Sequence, residues 1–360
     1  MAGSVLRILH VLPSLELAGT QRFVTTLAVA QARAGDEPTV VSLTRDPAPG
    51  FVAELEAAKV GVISIRKGPG MDPRVPGIVR AIAKRTRADV VHTHGYALTY
   101  GLLAQLSPRR RAAHTLHATM DIELGRATAP FYPVAHRLGV RFAAISDAVS
   151  ASCAERFGFS PPVIDSGVDL SAFRRPPRTT RADYGVPDGV PVVATVSRLD
   201  PVKGVDIALE AFARVRSTAH WLVAGSGPQR EALIARAHAL GVSERVHFLG
   251  PVDDVPSLLA TADVFLLTSR SEGLGLSVVE ALAAGLPCVV TRVGGLPELV
   301  TDGVNGLLAA SEDVADIGRA LERMLVDGEA RERMADAASA SVARFDAAST
   351  ATAYRQLYTA

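Results

Sequence analysis

The sequence predicts an α/β protein in which two doubly wound parallel sheets, each covered by helices, form two domains. Three observations predict this class. The chain has 360 residues, 48% of them apolar, and at roughly 100–200 residues per domain this length favours two cores. Short runs rich in Val, Ile and Leu alternate with longer helical patterns, as in parallel sheets with helices on both faces. A polar, proline-bearing stretch over 173–180 interrupts the alternation once.

The first alternating series predicts an N-terminal domain over residues 1–172. Its predicted strands are Arg7–Leu12, Thr39–Leu43, Val60–Ile65, Val90–Thr93, Ala112–Leu116 and Phe142–Ile145. Helical periodicity is clearest at Gln21–Arg33 and Pro76–Lys84. The apolar start resembles a secretory signal, but His10, Pro13 and Glu16 interrupt it. We therefore expect a first buried strand there.

The second series predicts a linker over 173–190 and a C-terminal domain over 191–344. Its predicted strands are Val192–Ser197, Trp221–Ala224, Val246–Leu249, Val264–Thr268 and Cys288–Thr291. Its predicted helices are Ile207–Arg216, Gln229–Leu240, Val255–Thr261 and Ser277–Ala284. From Asp313 onward the pattern is almost wholly helical.

Composition argues against several classes of protein. The chain carries 38 Lys plus Arg against 37 Asp plus Glu, so no nucleic-acid partner is expected. No run of 18 apolar residues is present to span a bilayer. Cys153 and Cys288 lie far apart without a C-x-x-C or ligand spacing, which favours a reducing cytoplasm and two buried thiols. The oligomeric state stays open.

Common phosphate-binding and metal-binding motifs are absent from the sequence. Gly225-Ser-Gly227 lacks the third glycine of a dinucleotide fingerprint, and no lysine follows a glycine as in a Walker A loop. No two aspartates are separated by one residue, so the Asp-x-Asp element that grips a divalent metal in many sugar-nucleotide enzymes is missing. An anion bound here has to be held by protein cations and helix ends.

Two glutamates flank a glycine-rich turn between a strand and a helix. Glu272 follows the predicted strand Val264–Thr268, and Glu280 lies about one turn into the next helix, which Gly285 is placed to end. Carboxylates accept hydrogen bonds from hydroxyls, so a sugar or a ribose is the natural partner. The alternatives are a surface residue with a cap, and an acid pair of the glycosidase type.

Two cations follow the first strand of the second domain. Arg198 and Lys203 lie five residues apart in a loop that leads to a helix. A guanidinium can meet two oxygens of a diphosphate, while an ammonium acts as a point charge. A diphosphate grip is therefore predicted, with a solvated loop as the alternative.

Other loops after strands offer close backbone approach to a ligand. Gly225 follows one strand of the second domain, and Gly250 and Val252 follow the next. In the first domain, Gly19 and Thr20 begin a predicted helix and could face a phosphate. Ordinary turn chemistry is the alternative for each of these loops.

Four histidines cluster at two strand ends of the first domain, at positions 92, 94, 114 and 117. His117 is expected to point toward a crevice between the domains, and a satisfied structural histidine is the alternative there and at His94. A zinc site can be imagined, but no cysteine or helical histidine pair supports it.

Basic residues concentrate in two places of the first domain. Arg80, Lys84, Arg85 and Arg87 lie on or beside a predicted helix, and 109–111 form a turn. Such clusters can attract an anionic lipid or a phosphorylated acceptor, although most are solvated surfaces.

The ordered set of motifs resembles that of the retaining GT-B glycosyltransferases of glycosyltransferase family four, also called group 1 glycosyltransferases. The resemblance covers essentially the whole chain. It is carried by Leu17-Ala-Gly-Thr-Gln-Arg-Phe, Val-Val-His-Thr-His94, Thr-Leu-His117, Ala-Ile-Ser146, Ile-Asp-Ser-Gly-Val-Asp169, Val-Ser-Arg198-Leu-Asp-Pro-Val-Lys203-Gly, Ala-Gly-Ser-Gly-Pro228, Phe-Leu-Gly250 and the stretch from Glu272 to Glu280.

This resemblance implies two Rossmann-like domains facing a crevice and a retaining, metal-independent hexosyl transfer from a nucleotide-diphosphate sugar to a hydroxyl acceptor. It implies that Arg198 and Lys203 hold the diphosphate, that Glu280 holds the ribose and that Glu272 takes donor-sugar hydroxyls. Backbone amides of Gly273, Leu274, Gly275 and Leu276 would assist, and His117 would contact the donor sugar and the reacting centre.

The same resemblance implies a closing helix, at about Phe345–Ala360, that returns to the first domain. The donor is expected to be a uridine or guanosine diphosphate sugar, which is a substrate, and no cofactor or metal is expected. The acceptor is open between a cell-envelope glycan or lipid precursor and a small molecule. The protein is expected in the cytoplasm, at the inner face of the membrane if its basic clusters bind lipid.

Three residues depart from the family pattern, and two rival functions follow from the same fold. Ala18, Ser166 and Leu274 replace a glycine, an asparagine and an aromatic residue that the family often carries. A sugar-nucleotide epimerase would keep the diphosphate grip without net transfer. A non-catalytic sugar-nucleotide-binding protein would bind the donor without turnover.

Overall fold

The structure is a computed structural model. It describes residues 4–16, 19–44, 47–68, 70–104, 110–123, 128–175 and 177–360. The chain divides into two compact units. The first unit comprises Met1–Val168 and Phe345–Ala360, and the second comprises Asp169–Arg344.

The first unit is built on a six-stranded parallel sheet in the order β3-β2-β1-β4-β5-β6. Its strands are β1 (Arg7–Leu12), β2 (Glu37–Ser42), β3 (Gly61–Ser64), β4 (Val90–His94), β5 (Arg111–Leu116) and β6 (Arg141–Ala144). Its helices are α1 (Gly19–Arg33), α2 (Pro49–Ala57), α3 (Val75–Arg85), α4 (Ala97–Ala104), α5 (Met120–Glu123), α6 (Phe131–Arg137) and α7 (Asp147–Phe157). All six strands predicted for this half are present.

The second unit repeats the design with the order β12-β11-β10-β7-β8-β9. Its strands are β7 (Val192–Val196), β8 (His220–Ala224), β9 (Val246–Gly250), β10 (Val264–Leu267), β11 (Cys288–Thr291) and β12 (Gly306–Ala309). Its helices are α8 (Val205–Ala213), α9 (Arg230–Ala239), α10 (Val255–Leu259), α11 (Leu276–Ala283), α12 (Leu296–Leu299), α13 (Val314–Val326) and α14 (Gly328–Ser341). The sequence analysis did not predict β12, because its residues Gly-Leu-Leu-Ala include no β-branched or aromatic side chain.

The predicted linker over 173–190 lies within the second unit and is bound to it. The Arg181 side chain donates to the carbonyl oxygens of Thr261 (2.9 Å) and Val190 (3.1 Å) and pairs with Asp263 (2.9 Å). Backbone N–H of Arg178 donates to Ser257 Oγ at 2.9 Å. Proline and polar content predicted a linker, and the guanidinium donors of Arg181 bind this segment to the second unit.

Each sheet reverses its strand order beside its first strand, which determines where ligand-binding loops gather. In the first unit β1 lies between β2 and β4, and in the second unit β7 lies between β8 and β10. In open parallel sheets, ligands bind beyond the carboxyl ends of the strands at this switch point. The loops after β1, β4 and β5, and those after β7 and β10, are therefore the places to search.

The last helix, α15 (Ala347–Thr359), packs on the first unit. Tyr354 and Tyr358 on this helix are fully buried, and Arg355 pairs with Asp36. The guanidinium of Arg141, on β6, donates to the carbonyl oxygens of Leu357 (2.9 Å) and Tyr358 (2.7 Å). A cation thus satisfies carbonyls at the C-terminal end of the helix, where the helix dipole favours positive charge.

In the described part of the chain, no helix is both long and apolar enough to cross a membrane.

Replacing Arg141 should loosen the docking of α15. Arg141→Met removes two charged hydrogen bonds to helix carbonyls, so we expect the free energy of unfolding to fall by about 1.5–3 kcal/mol. Urea denaturation followed by circular dichroism measures the change. Arg137→Met, at an exposed position near the end of α6, is the control and should change stability by less than about 0.5 kcal/mol. Equal stabilities of the two variants would contradict the proposed docking role.

Candidate functional site

The loops after β7 and β10 meet in an ion pair between two of the predicted site residues. Lys203 Nζ lies 2.5 Å from Glu272 Oε2, and the two side chains are only 19% and 12% exposed. Lys203 ends a one-turn 3-10 helix, Pro201–Lys203, that follows β7. Ser269 Oγ donates to the same carboxylate oxygen at 3.1 Å. The pair therefore places one positive and one negative group side by side at the switch point of the second sheet.

The backbone around Glu272 is packed against the loop that follows β11. Backbone N–H of Gly295 donates to the carbonyl oxygen of Glu272 at 3.3 Å. Gly294 has φ +51°, and a Cβ there would lie 1.7 Å from the same carbonyl oxygen. Only glycine fits this approach, so the sequence Gly294-Gly295 holds the β11–α12 loop against Glu272.

Arg198 occupies the open side of the β7–α8 loop. Its guanidinium lies 2.6 Å from Asp200 and its side chain is 57% exposed. Ser197 Oγ and Asp200 Oδ1 are buried and have no hydrogen-bond partner among the described residues. Buried polar atoms usually have a partner, so these two mark the loop as a place where a polar ligand or water could bind.

Arg270 joins the two loops that carry the ion pair, and the sequence analysis did not identify it. Its guanidinium donates to both carboxylate oxygens of Asp206 at 2.8 Å and to the Pro201 carbonyl at 2.5 Å. It also lies 2.6 Å from Glu312. The bidentate bond to Asp206 raises the pKa of Arg270. Nothing in the sequence distinguishes this arginine from a surface arginine, because its partners are distant along the chain.

The glycine-rich stretch after Glu272 is a turn that leads into α11, as predicted. Gly273, Leu274 and Gly275 are buried, Gly275 is the N-cap, and no described side chain caps the helix there. The first amides of α11, beginning at Leu276, therefore carry the partial positive charge of a helix N-terminus. Glu280 lies in the second turn of the same helix and is half-buried.

The loops after β8 and β9 close one side of the β7 loop. Gly225 has φ +136°, a Cβ there would lie 1.8 Å from the Ser197 carbonyl, and its N–H donates to the Gly250 carbonyl at 2.8 Å. Val252 is half-buried just beyond. Gly225 and Gly250 are therefore brought together beside Ser197.

In the first unit, the predicted site residues Gly19 and Thr20 belong to a different element from the predicted histidine, His117. Gly19 begins α1 and is exposed, with Thr20 half-buried beside it. His117 directly follows β5 and is half-buried. Its Nε2 lies 3.0 Å from His94 Nδ1, and its backbone N–H donates to Glu123 Oε2 at 3.3 Å. Glu123 was not identified from the sequence.

Three histidines come close enough to suggest a metal site, but hydrogen bonds account for them. Ligand atoms of His10, His92 and His94 lie within 4.8 Å of one another, and all three residues are buried. This set shares His92 and His94 with the imagined zinc site but contains His10 in place of His114 and His117. Each ring nitrogen of the three has a protein partner within 3.3 Å. The donor set therefore fits a hydrogen-bonded network better than a metal centre.

Burial controls the charge of these groups. It lowers the pKa of His117 to about 3 and that of His10 to about 4, and it lowers the pKa values of His92 and His94 well below their usual range. The histidines are therefore neutral at pH 7. Burial raises the pKa of Glu123 to about 7, and its Oε1 has no partner among the described residues.

The predicted basic clusters lie on the surface of the first unit as far as they are described. Arg80, Lys84, Arg85 and Arg87 are exposed on or beside α3, as is the apolar Ile78. Arg110 donates to the Ala88 carbonyl at 3.3 Å, while position 109 lies outside the described residues.

Two family models match the chain and together cover most of it. Residues 177–341 match "Glycosyl transferases group 1", and residues 17–172 match "Glycosyltransferase Family 4". A D-inositol 3-phosphate glycosyltransferase of Mycolicibacterium smegmatis is 33% identical in an alignment of 349 residues that covers 86% of this chain and 79% of that protein. The chain belongs to the group 1 glycosyltransferases.

A second relative and a solved structure are also similar to this chain. The N-acetyl-alpha-D-glucosaminyl L-malate synthase of Bacillus anthracis is 28% identical in an alignment of 285 residues that covers 74% of this chain and 73% of that protein. The crystal structure of Anabaena Alr3699/HepE in complex with UDP and glucose superposes with a TM-score of 0.87 at 23% identity, over 98% of this chain and 99% of that one. This group 1 glycosyltransferase therefore has the GT-B fold.

The buried carboxyl of Glu123 should make the stability of the glycosyltransferase depend on pH. Its folded pKa of about 7 lies above the ordinary value of 4.5, so between these values the unfolded state binds fewer protons and stability falls as pH rises. Glu123→Gln retains an acceptor for the His117 N–H and removes this loss.

The difference in unfolding free energy between the variant and the wild type should therefore grow in favour of the variant from pH 4.5 to 7, by on the order of 1–3 kcal/mol. The buried histidines act with the opposite sign, since their stabilisation is lost as pH falls below 6.5, but they are common to both proteins. Denaturation at several pH values gives the difference. A difference that does not change with pH would show that Glu123 ionises normally.

Proposed function

We propose that this glycosyltransferase carries out a retaining, metal-independent transfer of a hexosyl group from a nucleotide-diphosphate sugar to a hydroxyl acceptor. The observation that carries the proposal is the Lys203–Glu272 pair, with the exposed Arg198 in the same loop as Lys203. The absence of an Asp-x-Asp sequence supports a site in which protein cations neutralise the diphosphate.

The pair suits a ligand that is anionic at one end and rich in hydroxyls at the other. Lys203 carries three N–H donors, of which one is directed to Glu272, so others remain for phosphate oxygens. Arg198 can meet two oxygens at once. Glu272 accepts hydrogen bonds from sugar hydroxyls, and the amides of Gly273–Leu276 add donors at the start of α11. The role of Glu280 toward the ribose follows from the family resemblance.

The chemistry required of these residues is stabilisation of the leaving group. The bond between the anomeric carbon and the diphosphate oxygen lengthens and its electron pair passes to the diphosphate, while the sugar gains oxocarbenium character. Fixed cations lower the energy of the departing diphosphate because they need no reorganisation at that moment. We infer that the acceptor oxygen attacks from the face that the diphosphate leaves and that a phosphate oxygen takes its proton.

The residues of the second unit give less support to a mechanism that retains the anomeric configuration through a covalent enzyme intermediate. The Glu272 carboxylate is already bound by Lys203 and Ser269, so it is better placed to accept hydrogen bonds than to form a bond to carbon. His117 is neutral, and the family resemblance gives it the contact with the donor sugar and the reacting centre. Its charge state suits hydrogen bonding to a hydroxyl.

Relatives narrow the substrates to test. Alr3699/HepE structures contain UDP or UDP-glucose, and the names of two relatives include N-acetylglucosaminyl, L-malate and D-inositol 3-phosphate. We infer a uridine diphosphate sugar as donor and a small, negatively charged hydroxyl compound as acceptor. The exposed basic residues of α3 are compatible with such an acceptor and with an anionic membrane surface. No observation favours the epimerase or the non-catalytic sugar-nucleotide-binding protein.

The decisive variant removes the buried cation. Lys203→Ala should lower kcat about 10²–10³-fold, because a preorganised charge on the leaving group is lost, without loss of the folded state. Turnover is measured with UDP-N-acetylglucosamine or UDP-glucose and with L-malate or D-inositol 3-phosphate, in the presence of a chelator, and the anomeric configuration of the product is read by NMR.

Arg333→Ala is the control, since this arginine is 70% exposed on α14 and pairs only loosely with Glu329 at 3.9 Å. It should keep the wild-type rate. Activity that disappears with the chelator, near-normal turnover of Lys203→Ala, or an inverted product would each refute the corresponding part of the proposal.

A further inference from the structure

A chain of hydrogen bonds in the first unit connects the last turn of α1 to His117. Gln31 Oε1 lies 2.8 Å from His10 Nε2. His10 Nδ1 lies 3.3 Å from His94 Nε2, and His94 Nδ1 lies 3.0 Å from His117 Nε2. Gln31, His10 and His94 are at most 1% exposed, so water does not compete for these bonds.

Neutral imidazoles turn this geometry into a fixed order of donors and acceptors. An amide oxygen only accepts, so His10 donates from Nε2 and its Nδ1 is an acceptor. His94 must then donate from Nε2, which leaves its Nδ1 as an acceptor. His117 in turn donates from Nε2. The tautomer of each ring is set by the bond that its other nitrogen makes.

A second branch binds the other end of the Gln31 amide. Gln31 Nε2 donates to Tyr358 Oη at 3.2 Å, and that hydroxyl lies 2.8 Å from His92 Nδ1. His92 Nε2 lies 2.8 Å from Thr115 Oγ1. With Gln31 donating, the Tyr358 hydroxyl donates to His92, which then donates to Thr115. Both ends of the Gln31 amide are therefore bound, one of them by a residue of α15.

We propose that Gln31 is a positioning residue that fixes His117, through His10 and His94, as the tautomer protonated on Nε2. Nδ1 of His117 is then left as a hydrogen-bond acceptor. No described residue forms a hydrogen bond to this nitrogen. The nitrogen is also not fully buried, since it is absent from the buried polar atoms that have no partner. A ligand that meets this nitrogen has to supply a hydroxyl or another N–H or O–H donor, which matches a sugar or a polyhydroxyl acceptor and not a bare phosphate oxygen. The relevance of this to catalysis depends on the proposed function, but the tautomer itself does not.

Nitrogen NMR of the full-length protein labelled with ¹⁵N-histidine tests the proposal without substrate. Couplings from the ring carbon-bound protons show which nitrogen of each histidine carries the proton, and His117→Gln identifies the His117 signals by their loss. The wild type should show a protonated Nε2 and an unprotonated Nδ1 at His117. A protonated Nδ1 at His117 would overturn the proposal even if no variant folds.

The variant Gln31→Met keeps the length of the side chain and removes the acceptor. His10, His94 and His117 should then lose the fixed order, and the two nitrogens of His117 should move toward averaged signals from both tautomers. Thr25→Val is the control, since Thr25 is fully buried on the same helix and its hydroxyl has no described partner. It should leave His117 unchanged.

An unchanged His117 tautomer in Gln31→Met, or an equal change in Thr25→Val, would overturn the assignment of this role to Gln31. These spectra are independent of turnover. A failure of the proposed glycosyl transfer would instead appear as a lack of product with an intact His117 tautomer.

Discussion

The ion pair between Lys203 and Glu272 is the interaction on which the proposed function of the second unit depends. Both side chains are largely removed from water, so neither charge could remain there alone without a large desolvation cost. Paired, they hold the loops after β7 and β10 in one geometry. In the proposed function, an arriving diphosphate adds negative charge beside the lysine, and the sugar attached to it brings hydroxyls to the glutamate, so the pair would accommodate both ends of one ligand.

Positioning and binding are divided between different arginines. Arg270 uses its donors on Asp206, Pro201 and Glu312, so it fixes the loops. Arg198 is mostly exposed and remains available to a ligand. In the first unit, the proposed positioning of His117 likewise passes through buried groups, from Gln31 on α1 and Tyr358 on α15. In both units, contacts from residues distant in sequence therefore hold the candidate site residues.

Periodicity and motifs predicted eleven of the strands, the family and most candidate residues, because these features are local in sequence. The missed features depend on contacts between distant residues. Arg181 binds the supposed linker to Asp263, β12 becomes a strand only beside β11, and the partners of Arg270 cannot be read from its neighbours. Gln31 in the last turn of a helix resembles a surface residue until Tyr358 and His10 are placed beside it. The sequence named Lys203 and Glu272 separately, but only the fold shows that they touch.

The most direct test compares the binding of UDP with that of uridine monophosphate by calorimetry in the presence of a chelator. Protein cations that hold the second phosphate should make the wild type bind UDP at least about 10-fold more tightly, a difference of about 1.4 kcal/mol. The double variant Arg198→Met/Lys203→Met should lose most of this preference. A preference that appears only with added Mg²⁺, or that persists in the double variant, would contradict the claim that these two side chains neutralise the diphosphate.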